Sequence, residues 1–202
     1  HTRLVSNWSS DVCSSDLGMT GYQEVFTDPS YTGQIVTMTA PQIGNTGVNA
    51  FDPESRGAPA AAAVVVRELS PVASSWRSEE QLDAWLARSG VTGITGIDTR
   101  RLTRHLRDGG SQNGAIGTAD PATLVDRARA APNMEGLDLV KTVTCGSPYD
   151  HGSTTAAEFR TLSAPSTEGP RVVAMDLGIK RNILRSRSEE HTSELQSLTN
   201  LV

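Results

Sequence analysis

Few side chains in this sequence could act as nucleophiles, general bases or metal ligands. The 202 residues contain two cysteines and four histidines, namely Cys13, Cys145, His1, His105, His151 and His191. Their spacing fits neither a structural zinc site nor a Cys/His catalytic pair. Cys145, in TVTCGSP, follows a strand candidate that does not lead into a helix pattern, so we interpret it as a small half-buried residue. We interpret His105 as a surface or interface residue and assign no role to His151.

One serine stands in a turn that could present it to a ligand. Ser30 follows Asp28 and Pro29 in TDPSY. A serine after Asp-Pro in a tight turn can offer its hydroxyl and a backbone group to a polar molecule. From these residues alone, the simpler alternative that Ser30 only stabilises its own turn is favoured. Glu24 and Asp28 could be mistaken for a carboxylate pair, but a solvated Glu and a turn-forming Asp are the better interpretation.

Four arginines crowd one predicted helix, DTRRLTRHLRDGG: Arg100, Arg101, Arg104 and Arg107. Nucleic-acid-binding domains usually have a strongly basic balance, and those that bind single strands place aromatic residues between the cations. Basic and acidic residues nearly balance over residues 18–185, and this helix contains no aromatic residue. We therefore predict a solvated face or a subunit contact, and no nucleic-acid partner. The turns GSQNG and PQIGNTG do not match a phosphate-binding loop.

The strands that must position these residues are short. Strand candidates are residues 34–39, the Ala/Val run that ends at Val66, VTGITGID and NGAIG. The Ala/Val run is continuous rather than alternating, which is typical of a strand buried on both faces. The order of strands and helices therefore predicts an α/β fold.

Three helices carry recognisable ends. SEEQLDAWLARSG predicts a helix with Ser78 as its N-cap and Gly90 at its end. The Arg-rich helix can be capped by Asp98 or Thr99, and ADPATLVDRARAAP by Asp120. The apolar residues of the first helix fall on one face, which we expect to be buried: Leu82, Trp85 and Leu86.

A change of composition separates the last part of the chain. Residues 146–169 are rich in Ser, Thr, Pro and Gly without periodicity, which predicts a linker. RVVAMDLG then predicts a strand and IKRNILR a helix, which together would open a new α/β unit.

The two ends of the chain look unlike the sequence between them. Back-translation of RSEEHTSELQS gives a widely used sequencing-library adapter, and the other strand of that DNA encodes the NWSSDVCSSDL stretch with one base changed. We therefore interpret residues 1–17 and 186–202 as translated adapter and expect them to be disordered or only nominally helical. Residues 18–185 then hold 16 basic and 18 acidic residues, with Cys145, His105 and His151 as their only Cys and His.

Composition points to a soluble protein of a reducing compartment. Hydrophobic residues make up 37% of the chain and charged residues 20%. The longest apolar run, Ala58 to Val66, is far shorter than the roughly 20 residues that a membrane helix needs. Without a signal-like stretch or a disulfide framework, we expect a cytoplasmic location and no membrane partner.

Four stretches together resemble one family. MTGYQEVFTDPSYTGQIVTMTAPQIGNTGVN, IDTRRLTRHLRDGGSQNGAIG, NMEGLDLVKTV and VVAMDLGIKRNILR resemble the small, glutamine-hydrolysing subunit of carbamoyl phosphate synthetase. The resemblance implies an N-terminal domain of mixed strands and helices over residues 18–145, followed by the linker 146–169. Residues 170–185 would be the truncated first strand and helix of a flavodoxin-like glutamine amidotransferase domain.

The resemblance also implies a function. Ser30 matches a serine that contributes to the glutamine site of the family, whereas its catalytic Cys, His and Glu would lie beyond residue 185. Ammonia from glutamine would pass to a large subunit that uses ATP and Mg²⁺ to make carbamoyl phosphate from bicarbonate, and this chain would hold no cofactor or metal itself. Two interpretations therefore stay open: part of a glutaminase subunit, or a structural and docking domain without activity of its own.

Resequencing the source DNA outward from primers inside residues 18–185 tests the interpretation of the ends. We expect the reading frame to continue into an amidotransferase domain with a cysteine nucleophile. If the genome itself encodes HTRLVSNWSS and RSEEHTSELQS, the adapter interpretation is wrong and the protein is a stand-alone domain whose function must be sought in binding.

Overall fold

The computed structural model describes residues 19–55, 59–110, 112–151, 172–188 and 193–196. It contains two compact units, one formed by residues 1–53 and 57–137 and the other by residues 54–56 and 138–202. The predictions for residues 1–17 and for most of the 146–169 segment lie outside the described residues.

The first unit is an α/β structure, as the sequence predicts. Its described elements, in chain order, are α1 (Tyr22–Thr27), a single 3-10 turn (Pro29–Tyr31), β1 (Ile35–Thr37), β2 (Gln42–Ile43), β3 (Ala63–Val65), β4 (Glu68–Leu69), α2 (Leu82–Arg88), β5 (Thr92–Ile94), α3 (Thr99–Gly109) and α4 (Pro121–Ala130).

A parallel sheet lies at the centre of this unit. Its strands run in the order β1-β3-β5, with Val64 opposite Val36 on one side and Gly93 on the other. β2 and β4 form a second, two-stranded parallel pair. All three residues of β1 and of β3 are buried, which confirms that the Ala/Val run is a strand covered on both faces.

One face of the sheet packs against α1 and α2. Tyr22 and Phe26 of α1 share a core cluster with Val36 and Val64 of the sheet. From α2, the predicted apolar face joins the same cluster and is confirmed as buried: Leu82, Trp85 and Leu86.

The predicted N-cap of α2 is wrong. Ser78 lies before an extended stretch, because the N–H of Glu79 donates to the carbonyl of Val48 (2.9 Å) and the N–H of Val48 to that of Glu80 (2.9 Å). This pairing delays the helix until Leu82, and Gln81 takes the N-cap position. The C-terminal signal is confirmed, since Gly90 adopts a left-handed φ of 72° directly after the cap residue Ser89.

The other face of the sheet packs against α3 and the residues that follow it. Ile35, Ala63 and Val65 form a second core cluster, against which four partly buried residues pack: Ile94, Ile97, Leu102 and Ile116. Asp98 is the N-cap of α3 and accepts the N–H of Arg101 at 3.0 Å. Asp120 caps α4 in the same way through the N–H of Thr123 at 3.0 Å, as predicted.

The NGAIG segment forms no strand, although its sequence predicts one. Residues 113–117 contain only a single bridging residue, Gly114. The side-chain amide of Asn113 instead donates to the carbonyl of Ala131 at 2.8 Å, which ties this segment to the end of α4. A tertiary hydrogen bond thus fixes residues that local propensity would place in a strand.

The second unit contains α5 (Val140–Val143), β6 (Tyr149–His151), β7 (Val172–Met175), α6 (Arg181–Ser188) and β8 (Ser193–Gln196) among its described elements. The strand and helix predicted from RVVAMDLG and IKRNILR are confirmed as β7 and α6. The stretch before Cys145 was predicted as a strand, but α5 and its cap residue Thr144 occupy it instead. β6 lies within the segment predicted as a linker.

The C-terminal tail contains a strand, which contradicts the expectation of disorder or nominal helix. β8 lies between β6 and β7, antiparallel to β6 and parallel to β7. Strand pairing needs only backbone N–H and C=O groups, so a polar tail can complete the edge that β7 exposes. The tail residues 189–192 and 197–202 lie outside the described residues.

No helix among the described residues combines the length and the apolar character needed to span a bilayer.

Because α2 is buried against the sheet and the Val125 face of α4 is exposed, we expect substitutions on the two helices to change the free energy of unfolding by different amounts. Leu82→Ala should lower the free energy of unfolding by about 2–5 kcal/mol, because the removed methyl groups leave a cavity in the core. The matched control, Val125→Ala on the exposed surface of α4, should change it by less than about 0.5 kcal/mol. Urea denaturation measures both, and equal losses would contradict the placement of α2 against the sheet.

Candidate functional site

The turn that carries Ser30 begins where α1 ends. Asp28 closes α1 and caps the next turn, since its carboxylate accepts the N–H of Ser30 at 2.9 Å. Pro29 occupies the first position of that turn, where its fixed φ fits and no N–H is required. Asp28 is therefore a buried turn-forming residue, as predicted, and does not stand ready as a general base.

Ser30 itself is exposed, and its hydroxyl makes no hydrogen bond with the described part of the chain. Its backbone groups are engaged: the N–H binds Asp28, and the carbonyl accepts the side-chain amide of Gln34 at 3.3 Å. The sequence predicted that both the hydroxyl and a backbone group could reach a ligand. The structure leaves the hydroxyl as the available atom.

Tertiary contacts hold this turn in place. The Thr32 hydroxyl donates to the carbonyl of Pro29 at 2.7 Å, and Thr32 forms an antiparallel bridge with Ala61. The carbonyl of Phe26 accepts the N–H groups of Ala60 (2.9 Å) and Ala61 (3.1 Å). The run that leads into β3 therefore fixes the orientation of the Ser30 turn.

A polar cleft of about 280 Å³ lies at the opposite end of α1. Gln23 closes a reciprocal pair with Asn49: its side-chain amide donates to the Asn49 carbonyl (2.6 Å) and its side-chain oxygen accepts the Asn49 N–H (3.0 Å). Glu24 borders this cleft and is half-buried, not fully solvated as expected. No local sequence pattern predicts the cleft, because its walls come from segments more than 20 residues apart.

Tyr22 organises one wall of the cleft. Its hydroxyl donates to the carbonyl of Gly47 at 2.7 Å and accepts the N–H (3.2 Å) and the hydroxyl (2.9 Å) of Thr46. Burial raises the pKa of Tyr22 above its ordinary value, and the hydrogen bonds from Thr46 oppose that shift. The phenol therefore stays protonated and binds the 46–47 turn across the physiological pH range.

An ion pair forms another wall. A guanidinium nitrogen of Arg77 lies 2.7 Å from the Asp52 carboxylate, and about three-quarters of each side chain is buried. The amide of Asn49 donates to the second oxygen of Asp52 at 2.6 Å, and Arg77 also lies over the ring of Phe51. These charges neutralise each other, so the cleft gains rigidity rather than a reactive group.

A larger cavity of about 480 Å³ lies between α2 and the edge strand β5. Its walls are mainly apolar and include Val64, Val66, Leu69, Leu86 and Val91. Such walls offer mainly dispersion contacts to a ligand, with Asp83, Thr92 and Thr95 as the polar residues of the lining.

The arginines of α3 lie on its solvent side, as predicted. Arg100, Arg101 and Arg104 are exposed and make no ion pair within the described chain, whereas Arg107 lies 3.1 Å from Asp108. Arginines three or four positions apart repel each other and destabilise a helix by about 0.2–0.5 kcal/mol per pair. The first turn contains two of these cations and no acidic residue, which also opposes the helix dipole.

The cysteine and the two histidines outside the predicted adapter segments lie in a loop, a helix and a strand of the described chain. Cys145 is half-buried between α5 and β6, as expected. His105 is exposed on α3, as predicted, while His151 is buried in β6 of the second unit. Where the structure describes the chain, no group of three or more potential metal ligands is clustered.

Parallel strands covered by helices on both faces define the first unit as an α/β domain, with Ser30 exposed in a fixed turn. The family model for the CPSase domain of the carbamoyl-phosphate synthase small chain matches residues 6–116. The chain therefore belongs to the carbamoyl phosphate synthase small-chain family.

Individual relatives agree with this family. The carbamoyl phosphate synthase small chain of Parasynechococcus marenigrum is 51% identical over 170 residues, which cover 83% of this chain and 44% of the relative. The small chains of a Synechococcus strain and of Syntrophotalea carbinolica are 49% and 51% identical, with 83% of this chain and 43% and 45% of the relatives covered. The chain thus spans less than half the length of these curated relatives.

Replacing Tyr22 by Phe tests the hydrogen bonds at the cleft wall. Below pH 10 we expect the free energy of unfolding to fall by about 1–2 kcal/mol, because Thr46 and Gly47 lose a buried partner. Since the folded-state pKa lies above the ordinary value of 10.0, this contribution is complete below pH 10 and is lost as pH rises through the raised pKa.

The difference between wild type and Tyr22→Phe should therefore shrink in alkaline urea titrations. Tyr31→Phe is the control, because that hydroxyl makes no hydrogen bond among the described residues. An equal loss from both variants would contradict the role given to Tyr22.

Proposed function

We propose that this chain is the N-terminal part of a subunit that hydrolyses glutamine and supplies ammonia for carbamoyl phosphate synthesis from bicarbonate. The family membership supports this proposal, because the relatives are carbamoyl phosphate synthase small chains. Since the chain covers less than half of those relatives, the activity belongs to the complete protein.

One observation supports a particular residue as part of the glutamine site: the hydroxyl of Ser30 is exposed. A serine hydroxyl both donates and accepts hydrogen bonds, so it can contact the polar groups of glutamine. Asp28 and the bridge between Thr32 and Ala61 hold the turn, so the hydroxyl needs little reorganisation on binding. We assign Ser30 to glutamine binding and not to bond breaking.

Hydrolysis of a carboxamide by this class of enzyme requires an activated thiolate and a proton-transferring histidine. Cys145 follows a short helix and lies on no strand-to-helix turn, so it does not meet the first requirement. We therefore propose that the 202-residue chain has no glutaminase activity alone. ATP and Mg²⁺ would act on a separate large subunit, the partner that the name "small chain" implies.

The second unit supports the proposal of an amidotransferase domain that begins near residue 170. After β7, Asp176 accepts the N–H groups of Gly178 and Ile179, both at 2.9 Å, and the hydroxyl of Tyr149 at 2.7 Å. The chain then enters α6. A strand, a tight turn and a helix in this order open a flavodoxin-like fold, although β8 completes the sheet from the tail.

The domain boundaries also remain proposals. Residues 18–185 make up 83% of the chain (168 of 202), the same share that the alignments to several relatives cover. The family model extends further back, to residue 6. We keep residues 1–17 and 186–202 as translated adapter, 18–145 as the N-terminal domain and 146–169 as a linker.

A second candidate function is a purely structural and docking domain. The exposed arginines of α3 that form no ion pair within the described chain favour it. The repulsion between their charges would fall if this helix face contacted a partner of complementary charge. The two functions are compatible if docking belongs to the N-terminal domain and chemistry to the part of the small-chain relatives that this chain does not cover.

A hybrid subunit tests the glutamine proposal. Residues 18–185 would replace the matching segment of the Parasynechococcus marenigrum small chain, assembled with a large chain. Ser30→Ala should then raise KM for glutamine about 2- to 10-fold, the loss expected for one hydrogen bond of ~0.5–1.5 kcal/mol. Thr32→Val, in the same turn, should change KM by less than about twofold, because the Thr32 hydroxyl serves only the backbone.

The same ammonia assay applies to the 202-residue chain alone, which should match the blank. An unchanged KM in the Ser30→Ala hybrid would remove Ser30 from the glutamine site. Ammonia release by the isolated chain would contradict the proposal that it is inactive.

A further inference from the structure

We infer that the buried carboxylate of Glu54 is the N-terminal cap of α6, so that the start of this helix depends on a residue 128 positions before Asn182. Residues 54–56 belong to the second unit, whereas the chain on either side of them belongs to the first. The inference gives this short segment a conformational role: its carboxylate fastens it to α6. It does not depend on the proposed function.

The start of α6 has no cap in its own sequence. The helix begins at Arg181, so Lys180 occupies the N-cap position. An N-cap side chain accepts a hydrogen bond from the first turn, whereas a lysine ammonium group can only donate. The first turn also contains no acidic residue, and the charges of Lys180 and Arg181 lie at the positive end of the helix dipole. The local sequence thus supplies neither an acceptor nor a favourable charge.

Glu54 supplies both. Its backbone carbonyl accepts the N–H of Arg181 at 2.9 Å, and its carboxylate accepts the N–H of Asn182 at 2.8 Å. The next N–H, that of Ile183, donates to the carbonyl of Lys180 at 3.1 Å. The first three N–H groups of the helix, which have no acceptor within an α-helix, are therefore all satisfied.

Burial makes this bond important to both partners. Only 8% of Glu54 is exposed, and a buried carboxylate is costly unless it accepts hydrogen bonds. A bond to a charged acceptor is roughly twice as strong as a neutral one, and the negative charge lies where the helix dipole is positive. Loss of the carboxylate should therefore loosen the start of α6.

The carboxylate occupies a position at which other proteins bind anions. In α/β folds, a helix that follows a parallel strand often binds a phosphate at its N-terminus. Here Asp176 accepts the N–H groups of Gly178 and Ile179 in the turn after β7, and Glu54 accepts those at the helix start. The unit thus contains its own anions at this end of α6. Removal of the Glu54 side chain should create a site for a small carboxylate such as formate.

The test measures amide hydrogen exchange at Asn182 by NMR on the 202-residue chain. E54A removes the side-chain acceptor, while E54Q retains a neutral oxygen in its place. E79Q is the matched control, because the Glu79 carboxylate also accepts one backbone N–H, that of Ala50 at 3.0 Å, but on the exposed surface.

A second amide reports on the stability of the rest of the chain. The N–H of Val66 donates to the carbonyl of Ile94 at 3.0 Å within the first unit. Its exchange rate should stay within about twofold of wild type in all three variants, because the change at α6 is a local opening.

We expect E54A to accelerate exchange at Asn182 about 10- to 100-fold, the loss expected for one hydrogen bond to a charged acceptor. E54Q should accelerate it less, by about 3- to 10-fold, because a neutral acceptor remains. E79Q should change it by less than about twofold.

Formate then tests whether the vacated position binds an anion. In E54A, about 200 mM sodium formate should slow exchange at Asn182 at least about twofold, because a ligand that binds the folded form protects it. Sodium chloride at the same concentration controls for ionic strength. Wild type should not respond to formate, since its own carboxylate fills the position.

Four outcomes would overturn the inference. They are unchanged exchange at Asn182 in E54A, equal acceleration by E79Q, equal acceleration at Val66, and a formate effect on E54A that is absent or no larger than that on wild type. If E54A does not fold, E54Q decides, because exchange at Asn182 equal to that of wild type would overturn the inference as well.

Discussion

The structure of the first unit depends on covering both faces of a short parallel sheet. Its strands have only three residues each, and their apolar side chains alternate between two core clusters. Strands this short cannot be stable unless helices exclude water from both sides. Packing of α1 and α2 on one face and α3 on the other satisfies this requirement and fixes where each helix ends and which side it exposes.

The positions of Ser30 and the α3 arginines follow from that packing. α1 is buried through Tyr22 and Phe26, so the turn after its last residue emerges at the surface with Ser30 on it. α3 is held through its leucines, so its arginines can only face solvent. In both cases the apolar residues that bury a helix determine which neighbouring polar groups are exposed. For α1 these groups lie on the following turn, and for α3 they lie on the opposite face of the helix.

Strand edges shape the second unit. β7 has the apolar sequence of a central strand, yet the strand order β6-β8-β7 places it at an edge of the described sheet. β8 pairs with one side of β7 from a polar tail, parallel to it, and in turn pairs with β6. Strand pairing uses backbone groups, which are the same in every segment apart from proline. Side-chain periodicity therefore did not predict β8. Asp176 accepts the N–H of Gly178 in the turn after β7. Glu54, which is distant in sequence, accepts the N–H of Asn182 at the start of α6.

Local sequence determined the elements, and long-range contacts determined the site. Continuous apolar runs identify β3 and β7, and capping residues identify α3 and α4, because periodicity and caps act within about one helical turn. The delayed start of α2, the lost NGAIG strand, the Gln23–Asn49 pair and the Asp52–Arg77 ion pair were decided only by the tertiary structure. They join residues more than 15 positions apart, and many alternative partners are equally compatible with each short segment. The sequence therefore identified Ser30 and its turn, including the local bond from the Ser30 N–H to Asp28, whereas the bridge between Thr32 and Ala61 that orients this turn was decided by the tertiary structure.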